Sequence, residues 1–325
     1  MISQLFNRAA HKHGERTVLV DGERHMTYFE LQVYVEWSAR YFQSLGIQPG
    51  HRIAIYIPNR HEFVISLLGM LPLGGVAVPL PQYDDPGELR AALLAAKVHA
   101  VITIPPYREL LAAVLSQQGK AEWPLHKIPL AVFEEDNIAT ANGTLSPPEV
   151  KVNVAAASNG EHDRAGIGFL SNLVGRFDEH TAVLFLPSDS RGAQTLKPFT
   201  HRALVEAAEN FARSSQMTAD DCILAVLPFA QAAGLITSLL AVIAGDAKLI
   251  LLPHFEEASV VEALARERVT IYPDLPARFD RLLAAPADRR RALPSLRLCI
   301  AAGASMAPES KQNFLREFGV AVQSW

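Results

Sequence analysis

Short apolar runs alternate with amphipathic stretches through the first third of the chain. Residues 52–57, 76–80 and 100–104 form continuous runs rich in β-branched side chains, typical of parallel strands that are covered on both faces. Between them, residues 62–71 and 88–96 carry apolar side chains at helical spacing. This β-α-β-α-β order predicts an α/β fold with right-handed crossover connections.

A helix and a hairpin are predicted ahead of the first of these strands. Residues 4–13 show helical spacing, and the Asp-Gly pair at 21–22 stands between two apolar runs, which is a strong hairpin signal. Thr27 and Glu30 fit a capping box, in which the hydroxyl and the carboxylate satisfy free backbone N–H groups. We therefore predict a helix that begins at Thr27 and ends at Gly46.

The alternation stops at residues 133–168, which are rich in Ala, Asn, Gly, Ser, Pro and acidic residues and contain an extended stretch around 150–154. It then resumes. The predicted strands are 181–186, 223–227, 248–252, 269–272 and 296–301, and the predicted helices are 201–216, 233–243, 260–267, 276–284 and 308–318. We therefore predict a first α/β subdomain at 1–132, a linker or surface excursion at 133–168, and a second α/β subdomain at 169–325.

Composition and charge exclude several functional classes. The 325 residues are 49% hydrophobic and carry a net charge of −4, so a nucleic-acid partner, which requires a clustered basic excess, is not expected. The run of three arginines at 289–291 is interpreted as a solvated loop or helix end. Eleven scattered histidines include no metal-binding motif, and we predict no metal site.

The two cysteines, Cys222 and Cys299, lie in apolar runs, which favours buried structural thiols over a disulfide framework. The first 20 residues lack the apolar core of a secretory signal. The uncharged stretch 222–245 is interrupted by Pro228, Gln231 and Gly234, so it predicts a strand, a loop and a helix rather than a membrane span. These features predict a soluble, cytoplasmic protein.

Four segments match short motifs of one enzyme superfamily in the same order. Residues 26–31 read MTYFEL, similar to LTYxEL, and residues 46–55 read GIQPGHRIAI, similar to GVxxGDRVAI. Residues 58–63 read PNRHEF, similar to PNxxEF, and residues 73–80 read LGGVAVPL, similar to LAGAVAVPL. On these motifs the chain resembles the N-terminal region of the adenylate-forming (AMP-binding) superfamily, which includes acyl-CoA synthetases and the adenylation domains of non-ribosomal peptide synthetases.

The resemblance implies a fold and an activity. The implied fold is two stacked, doubly wound α/β subdomains of the superfamily's N-terminal domain, without the C-terminal lid domain. Members of the superfamily are ligases that activate a carboxylic acid with ATP and Mg²⁺, forming an acyl-adenylate and pyrophosphate. They then pass the acyl group to the thiol of CoA or of a carrier protein.

The ATP-phosphate loop of the superfamily resembles YTSGTTGxPKGVxxTH, and residues 187–202 here read PSDSRGAQTLKPFTHR. Backbone N–H groups beside glycine bind phosphate in such loops, and a lysine adds a positive charge. An ungapped match places Asp189 at the first glycine, where a carboxylate ~4 Å from phosphate costs roughly 4 kcal/mol. The resemblance implies that the residues flanking the phosphates are Ser188, Ser190, Gly192, Thr195 and Lys197. The alternative is an ordinary surface loop.

Two further segments imply an adenylate and acyl pocket. Residues 227–235, LPFAQAAGL, resemble LPLFHxxGL, with Gln231 in place of the histidine. Residues 300–309, IAAGASMAPE, resemble xSGGAPLxxE, the loop that packs on adenine in the superfamily. The resemblance implies cofactor contacts from Gly303 and Ala304, and a substrate pocket lined by Gln231, Gly234 and Met306. We assign no catalytic residue. His201 follows Thr200 as the predicted helix cap and is interpreted as a helix-entry residue.

The last residues, 318–325, resemble the segment that leads into the YGxTE motif of the superfamily. The superfamily's ribose-binding aspartate, hinge and catalytic lysine follow that motif, so we expect catalysis to require a downstream region on this chain or another. The alternative is a non-catalytic relative, or pseudoenzyme, that uses the scaffold to bind a ligand or a protein. We also predict a homodimer or a protein partner at the face formed after about residue 296, where apolar surface would be exposed.

Overall fold

The computed structural model describes residues 1–117, 123–134, 137–140, 143–145, 180–186, 196–284 and 293–325. The chain forms two compact α/β units, each with a predominantly parallel sheet, and the predicted fold class is confirmed. The first unit consists of Met1–Gly14, Tyr28–Ile57 and Glu62–Ala203. The second consists of Glu15–Thr27, Pro58–His61 and Leu204–Trp325.

The elements follow the predicted alternation closely. Those of the first two thirds are α1 (Ile2–His13), β1 (Thr17–Asp21), β2 (Arg24–Thr27), α2 (Tyr28–Ser44), β3 (Arg52–Tyr56), α3 (His61–Met70), β4 (Val76–Pro79), α4 (Pro86–Ala96), β5 (Ala100–Thr103), α5 (Arg108–Ser116), β6 (Leu130–Glu134), β7 (Asn137–Thr140), β8 (Gly143–Leu145), β9 (Thr181–Phe185) and β10 (Lys197–Thr200). The remainder are α6 (His201–Ser214), β11 (Cys222–Ala225), α7 (Ala232–Gly234), α8 (Ala241–Ala244), β12 (Lys248–Leu251), α9 (Glu257–Arg266), β13 (Ile271–Asp274), α10 (Pro276–Ala284), β14 (Leu298–Ala301), α11 (Pro308–Phe318) and β15 (Val322–Ser324).

The first unit is built on a sheet in the order β10-β9-β4-β3-β5-β6-β7-β8. The five central strands, β9 to β6 in that order, are parallel, whereas β10, β7 and β8 pair antiparallel at the two edges. The central strands β4 and β5 are buried along their whole length, as expected where helices cover both faces.

Two features of this sheet were not predicted. Within the stretch 133–168, expected to be a linker or surface excursion, residues 137–140 and 143–145 form β7 and β8, which extend the sheet beyond β6. Strand β9 pairs with β4 and β10 pairs with β9 in the first sheet, although both strands follow that stretch in the sequence. The extended stretch expected around 150–154 lies outside the described residues, and the segment boundaries 1–132, 133–168 and 169–325 stay a prediction.

The second unit is built on a sheet in the order β15-β14-β13-β11-β12-β1-β2. All neighbouring strands are parallel except β1 and β2, which form the predicted hairpin. Gly22 at its turn has φ +59°, a left-handed conformation that favours glycine. The hairpin adds to the sheet through β1, which pairs with β12.

Both cysteines belong to this sheet and are buried and free, in agreement with the structural interpretation. Burial raises the pKa of the Cys222 thiol to about 12 and also raises that of Cys299, which makes both poor nucleophiles. In the described part of the chain, no helix is both long enough and apolar enough to cross a membrane.

Glu36 is an unusual buried acid on α2 in the first unit. It is only 4% exposed, and its Oε1 atom has no hydrogen-bond partner among the described residues. Burial raises the pKa of this carboxyl to about 7, against the opposing effects of the Arg40 charge and a hydrogen bond with Gln32. A carboxyl with a raised pKa in the folded state stabilises the fold only while it is protonated.

We expect the free energy of unfolding to fall by about 1–3 kcal/mol between pH 5 and pH 8 because Glu36 must ionise while buried. The Glu36→Gln variant is neutral throughout and should lose this decrease, so it should be more stable than the wild type at pH 8. Urea unfolding across this pH range measures the effect. Glu109→Gln, which changes an exposed acid of the same unit, is the control, and a matching profile for both variants would contradict the prediction.

Candidate functional site

The candidate site lies at the carboxyl ends of β11, β13 and β14 in the second unit. These strands are adjacent and parallel in the order β14-β13-β11, so the loops that follow them meet at one edge of the sheet. Ligands of parallel α/β sheets bind at this edge. Five of the predicted site residues follow these strands: Gln231, Gly303, Ala304 and Met306 in the loops, and Gly234 in α7.

The turn after β14 is open and is held at both ends. The Ala302 N–H donates to the Asp274 carbonyl over 2.9 Å, and the Gly303 N–H donates to the Trp325 carbonyl over 3.4 Å. Gly303 has φ +80°, and a Cβ at this position would meet no atom within 4 Å, so the space beside it is free. Ala304 and Ser305 are exposed, and their N–H groups donate no hydrogen bond among the described residues.

Met306, at the end of this turn, is buried in the hydrophobic core of the unit rather than exposed at the sheet edge. Its side chain packs with core residues. A role for Met306 in a substrate pocket stays a prediction. Gly303, Ala304 and Ser305 are the residues of the turn that are exposed and accessible to a ligand.

A buried network of charged and polar side chains lies at the end of β13, and the sequence did not predict it. Asp274 is 0% exposed and accepts hydrogen bonds from the Tyr272 hydroxyl, the Leu275 N–H (2.8 Å) and the Arg278 Nη1 atom (3.0 Å). Arg278 Nη1 also donates to the Val226 carbonyl over 3.3 Å. The network therefore ties the end of β13 to the end of β11. The nearby proline signals, Pro-Asp-Leu-Pro, were the only sequence indication of an unusual strand end.

Burial raises the pKa of the Asp274 carboxyl above its ordinary value, although the Arg278 charge and the hydrogen bonds oppose this. Burial also raises the pKa of the Tyr272 hydroxyl well above its ordinary value, and the Asp274 charge adds to the effect. Tyr272 therefore stays a protonated donor at neutral pH. The geometry makes the network a brace beneath the candidate site.

Asn59 braces the turn after β11. It is only 2% exposed, and its Nδ2 atom donates to the carbonyls of Ala225 (3.1 Å) and Leu227 (2.8 Å). Its Oδ1 atom accepts from the Phe229 N–H over 2.9 Å. Both amide donors and the acceptor are thus used to hold residues 225–229 in place. Asn59 belongs to the motif PNRHEF, which indicated the family but not this role.

The loop that carries Asn59 is itself attached to the β1 strand end. Asp21 Oδ2 accepts from Arg60 Nε (3.0 Å) and from the His61 N–H (3.1 Å), and it lies 2.7 Å from His61 Nδ1. Although burial opposes the effect, the contacts with His61 and the charge of Arg60 lower the pKa of Asp21. An ionised Asp21 therefore fixes the Pro58–His61 loop within the second unit.

Gly234 marks an irregular helix beside the turn. A Cβ there would lie 2.4 Å from the Pro228 carbonyl oxygen and 2.7 Å from that of Leu227, so only glycine fits without a backbone shift. The predicted helix at 233–243 is present, but its middle, Leu235–Leu240, is a π-helix between α7 and α8. Such segments are frequent at functional sites. Gln231, just before α7, is exposed at the sheet edge.

Of the predicted phosphate-binding residues, Lys197 is among those that the structure describes, and it belongs to the first unit. Ser188, Ser190, Gly192 and Thr195 lie outside the described residues. Lys197 is exposed at the start of β10. After β10, Thr200 Oγ1 accepts from the Ala203 N–H over 3.1 Å, which confirms it as the helix cap and His201 as a helix-entry residue.

Comparison with known proteins agrees with this architecture. The chain is 27% identical over 326 residues to 2-hydroxy-7-methoxy-5-methyl-1-naphthoate–CoA ligase of Streptomyces carzinostaticus, covering 97% of this chain and 55% of that protein. It is 25% identical over 321 residues to 2,3-dihydroxybenzoate-AMP ligase of Bacillus subtilis, covering 98% of this chain and 55% of that protein. The chain therefore spans just over half the length of these relatives.

Solved structures share the fold. The N-terminal domain of FACL13 from Mycobacterium tuberculosis, with an inhibitor bound, superposes with a TM-score of 0.78 at 20% identity, covering 100% of this chain and 75% of that one. ATP-bound MatB from Rhodopseudomonas palustris superposes with a TM-score of 0.75 at 20% identity, covering 100% of this chain and 60% of that one. The family model described as AMP-binding enzyme matches residues 6–325, which confirms the resemblance drawn from the four N-terminal motifs. The chain thus belongs to the AMP-binding enzyme family.

Proposed function

We propose that this chain forms the nucleotide- and acid-binding part of an acyl-CoA ligase that adenylates a carboxylic acid with ATP. The open Gly303 turn is the observation that carries the proposal. It lies at the carboxyl edge of a parallel sheet, where the free N–H groups of Ala304 and Ser305 are available to a ligand. Family membership and the CoA and AMP ligases among its relatives support the same reaction class.

The residues of the turn fit an adenine nucleotide. Gly303 and Ala304 are exposed and have small or no side chains, so a flat ring can approach the backbone closely. The Ala304 and Ser305 N–H groups can donate to ring nitrogens, and the space beside Gly303 is empty of protein atoms within 4 Å of a Cβ position. ATP, when bound with Mg²⁺, supplies the adenylyl group for the acid.

The other site residues take supporting roles in this proposal. Gln231 is exposed beside the turn after β11 and would hydrogen-bond the acid or the adenylate without carrying charge. Ser188, Ser190, Gly192, Thr195 and Lys197 would contact the phosphates, with Lys197 as the cation. The acyl acceptor would be CoA or a carrier-protein thiol, and the reaction would be completed by a C-terminal region.

A non-catalytic role is the second candidate, and the sequence of the site favours it at two positions. Gln231 cannot carry charge where the superfamily has a histidine, and Asp189 brings a carboxylate to the phosphate loop. In that case the chain would bind a nucleotide-like ligand or a protein. The large apolar side chains of Leu315 (49% exposed) and Trp325 (45% exposed) support a protein partner or a homodimer at the face after residue 296. A cytoplasmic location stays a prediction.

Calorimetric titration with ATP and Mg²⁺, and with a non-hydrolysable acyl-adenylate mimic, tests the proposal. We expect the mimic to bind and Gly303→Trp to weaken it at least tenfold, because the indole would fill the open space beside the turn. Gly319→Trp is a matched control, since Gly319 is also exposed, has φ +72° and has nothing within 4 Å of a Cβ position. A folded wild-type chain that binds neither ligand would reject adenylation by this chain and leave the non-catalytic role.

A further inference from the structure

A cavity opens at the amino ends of the strands of the second unit's sheet, opposite the candidate site. It has a volume of about 780 Å³ and is lined at the amino ends of β11, β12 and β13 by Cys222, Lys248 and Thr270. The end of α9 and residues 293–295 before β14 complete its wall. Clefts for small molecules measure roughly 300–1,000 Å³, so a ligand of that class fits. We call this space the amino-edge cavity.

The amino-edge cavity is separate from the candidate adenylate site. Lys248 and Cys222 are the first residues of β12 and β11, whereas Gly303 follows the last residue of β14. In a parallel sheet these positions lie at opposite edges. A strand residue advances the chain by about 3.3 Å, so the four-residue strands separate the two edges by roughly 10 Å or more.

The wall of this cavity carries two acids and two cations, and only the acids lie near arginines outside the cavity. Glu267 lies 2.9 Å from Arg266 Nε, and the exposed Asp220 lies 3.5 Å from Arg16 Nη2. The side chains of its two cations, Lys248 and Arg268, form no hydrogen bond or ion pair with any described residue. Two cations without partners beside two paired acids favour an anionic ligand.

The remaining wall is largely apolar. Leu264, Ala265, Leu293 and Pro294 line it together with the buried Cys222. The Thr270 hydroxyl is already used, since it donates to Asp221 Oδ1 over 2.6 Å and accepts from the Cys222 N–H over 2.9 Å. A ligand therefore meets an apolar surface on one side and two cations on the other.

We propose that the amino-edge cavity binds a small organic anion with an apolar body, such as an aromatic or short-chain carboxylate or sulfonate, held by Lys248 and Arg268. The anionic group pairs with the two cations, and the apolar body covers Leu264 and Leu293. The site is independent of nucleotide binding at the Gly303 turn.

Titration with three probes tests the proposal on the whole chain. Anilinonaphthalenesulfonate has both features, inorganic phosphate has only the charge, and phenylnaphthylamine has only the apolar body. We expect the sulfonate to bind with a stoichiometry of one, and at least tenfold more tightly than either of the others. Phosphate or phenylnaphthylamine binding as tightly as the sulfonate would overturn the ligand class.

Variants locate the bound probe. Lys248→Gln and Arg268→Gln should each weaken sulfonate binding about tenfold, as expected for a lost charge-assisted contact. Arg316→Gln removes an exposed cation of α11 in the same unit and should leave the affinity unchanged. Equal affinities in all three variants would overturn the site, and so would sulfonate binding that Gly303→Trp abolishes. The latter result would place the probe at the nucleotide site.

Discussion

Replacing Asn59 with alanine should destabilise the protein by about 2–4 kcal/mol, because the change leaves buried backbone groups without partners. Asn59 uses both amide hydrogens on the carbonyls of Ala225 and Leu227, and its oxygen on the Phe229 N–H. Alanine removes all three contacts at a position that is only 2% exposed, so water has little access to replace them. Urea unfolding of the variant measures the loss.

A matched substitution separates this effect from the loss of any asparagine. Asn210→Ala removes an exposed amide on α6 in the same unit and should change stability by less than about 0.5 kcal/mol. Asn59→Asp is the sharper variant, because its carboxylate would face two carbonyl oxygens that need donors. It should be less stable than Asn59→Ala at pH 7 and should recover partly in acid. If Asn59→Ala were as stable as Asn210→Ala, the turn at 225–229 would keep its conformation without the Asn59 hydrogen bonds.

The Asn59 brace also has a functional consequence, which rests on the proposed nucleotide site. The turn at 225–229 leads to Gln231 and to Gly234, where a Cβ would lie 2.4 Å from the Pro228 carbonyl oxygen. Under conditions where Asn59→Ala remains folded, we expect weaker binding of the acyl-adenylate mimic but an unchanged affinity at the amino-edge cavity. Weaker binding at both sites would indicate general unfolding rather than a displaced turn at 225–229.

Replacing Arg297 with methionine should cost about 3–5 kcal/mol, because it leaves the buried Asp221 carboxylate without its cation. Arg297 approaches Asp221 with Nε and Nη2, each over 2.8 Å. The same guanidinium donates to the carbonyls of Ser215 (3.0 Å) and Gln216 (3.2 Å) just after α6. Arg297→Lys should recover little of the loss, since an ammonium group lacks the planar fork that makes these four contacts.

The pH dependence of this effect has a definite sign. Although burial opposes it, the hydrogen bonds from Arg297, Thr270 and Thr218 lower the pKa of Asp221 below its ordinary value of 3.8. A lowered folded-state pKa gives stability that is present above pH 3.8 and lost as the pH falls through the folded value. The difference between wild type and Arg297→Met should therefore be largest at neutral pH and shrink in acid.

The double variant Asp221→Asn/Arg297→Met supplies the control. It removes the Asp221 charge, which Arg297→Met alone leaves buried without its cation, so the double variant should be more stable than Arg297→Met at pH 7. Unfolding curves at pH 7 and pH 3 for the wild type, the two single variants and the double variant decide the matter. A double variant that is as unstable as the sum of the single changes would show that Asp221 and Arg297 act independently.

The candidate site was only partly predictable from the sequence. Gly303 and Ala304 were identified through a motif, and both are accessible at a sheet edge where ligands bind. Met306 was identified by the same motif, but its side chain is buried in the core. A motif match gives the position of a residue and not the direction of its side chain. The contacts between Asp274 and Arg278 are local, but the contact of Arg278 with the Val226 carbonyl forms only when β13 and α10 pack against β11.

The sequence by itself determined the α/β class, the order of helices and strands, the buried cysteines and the family. These properties follow from local patterns, because the spacing of apolar residues records which faces of an element are covered. Only the tertiary structure decided the strand partners, such as β1 beside β12 and β9 beside β4. It also decided the role of Asn59 and the positions of Lys248 and Arg268 beside one cavity. Each of these depends on contacts between residues distant in sequence, and such contacts leave no periodic trace in the chain.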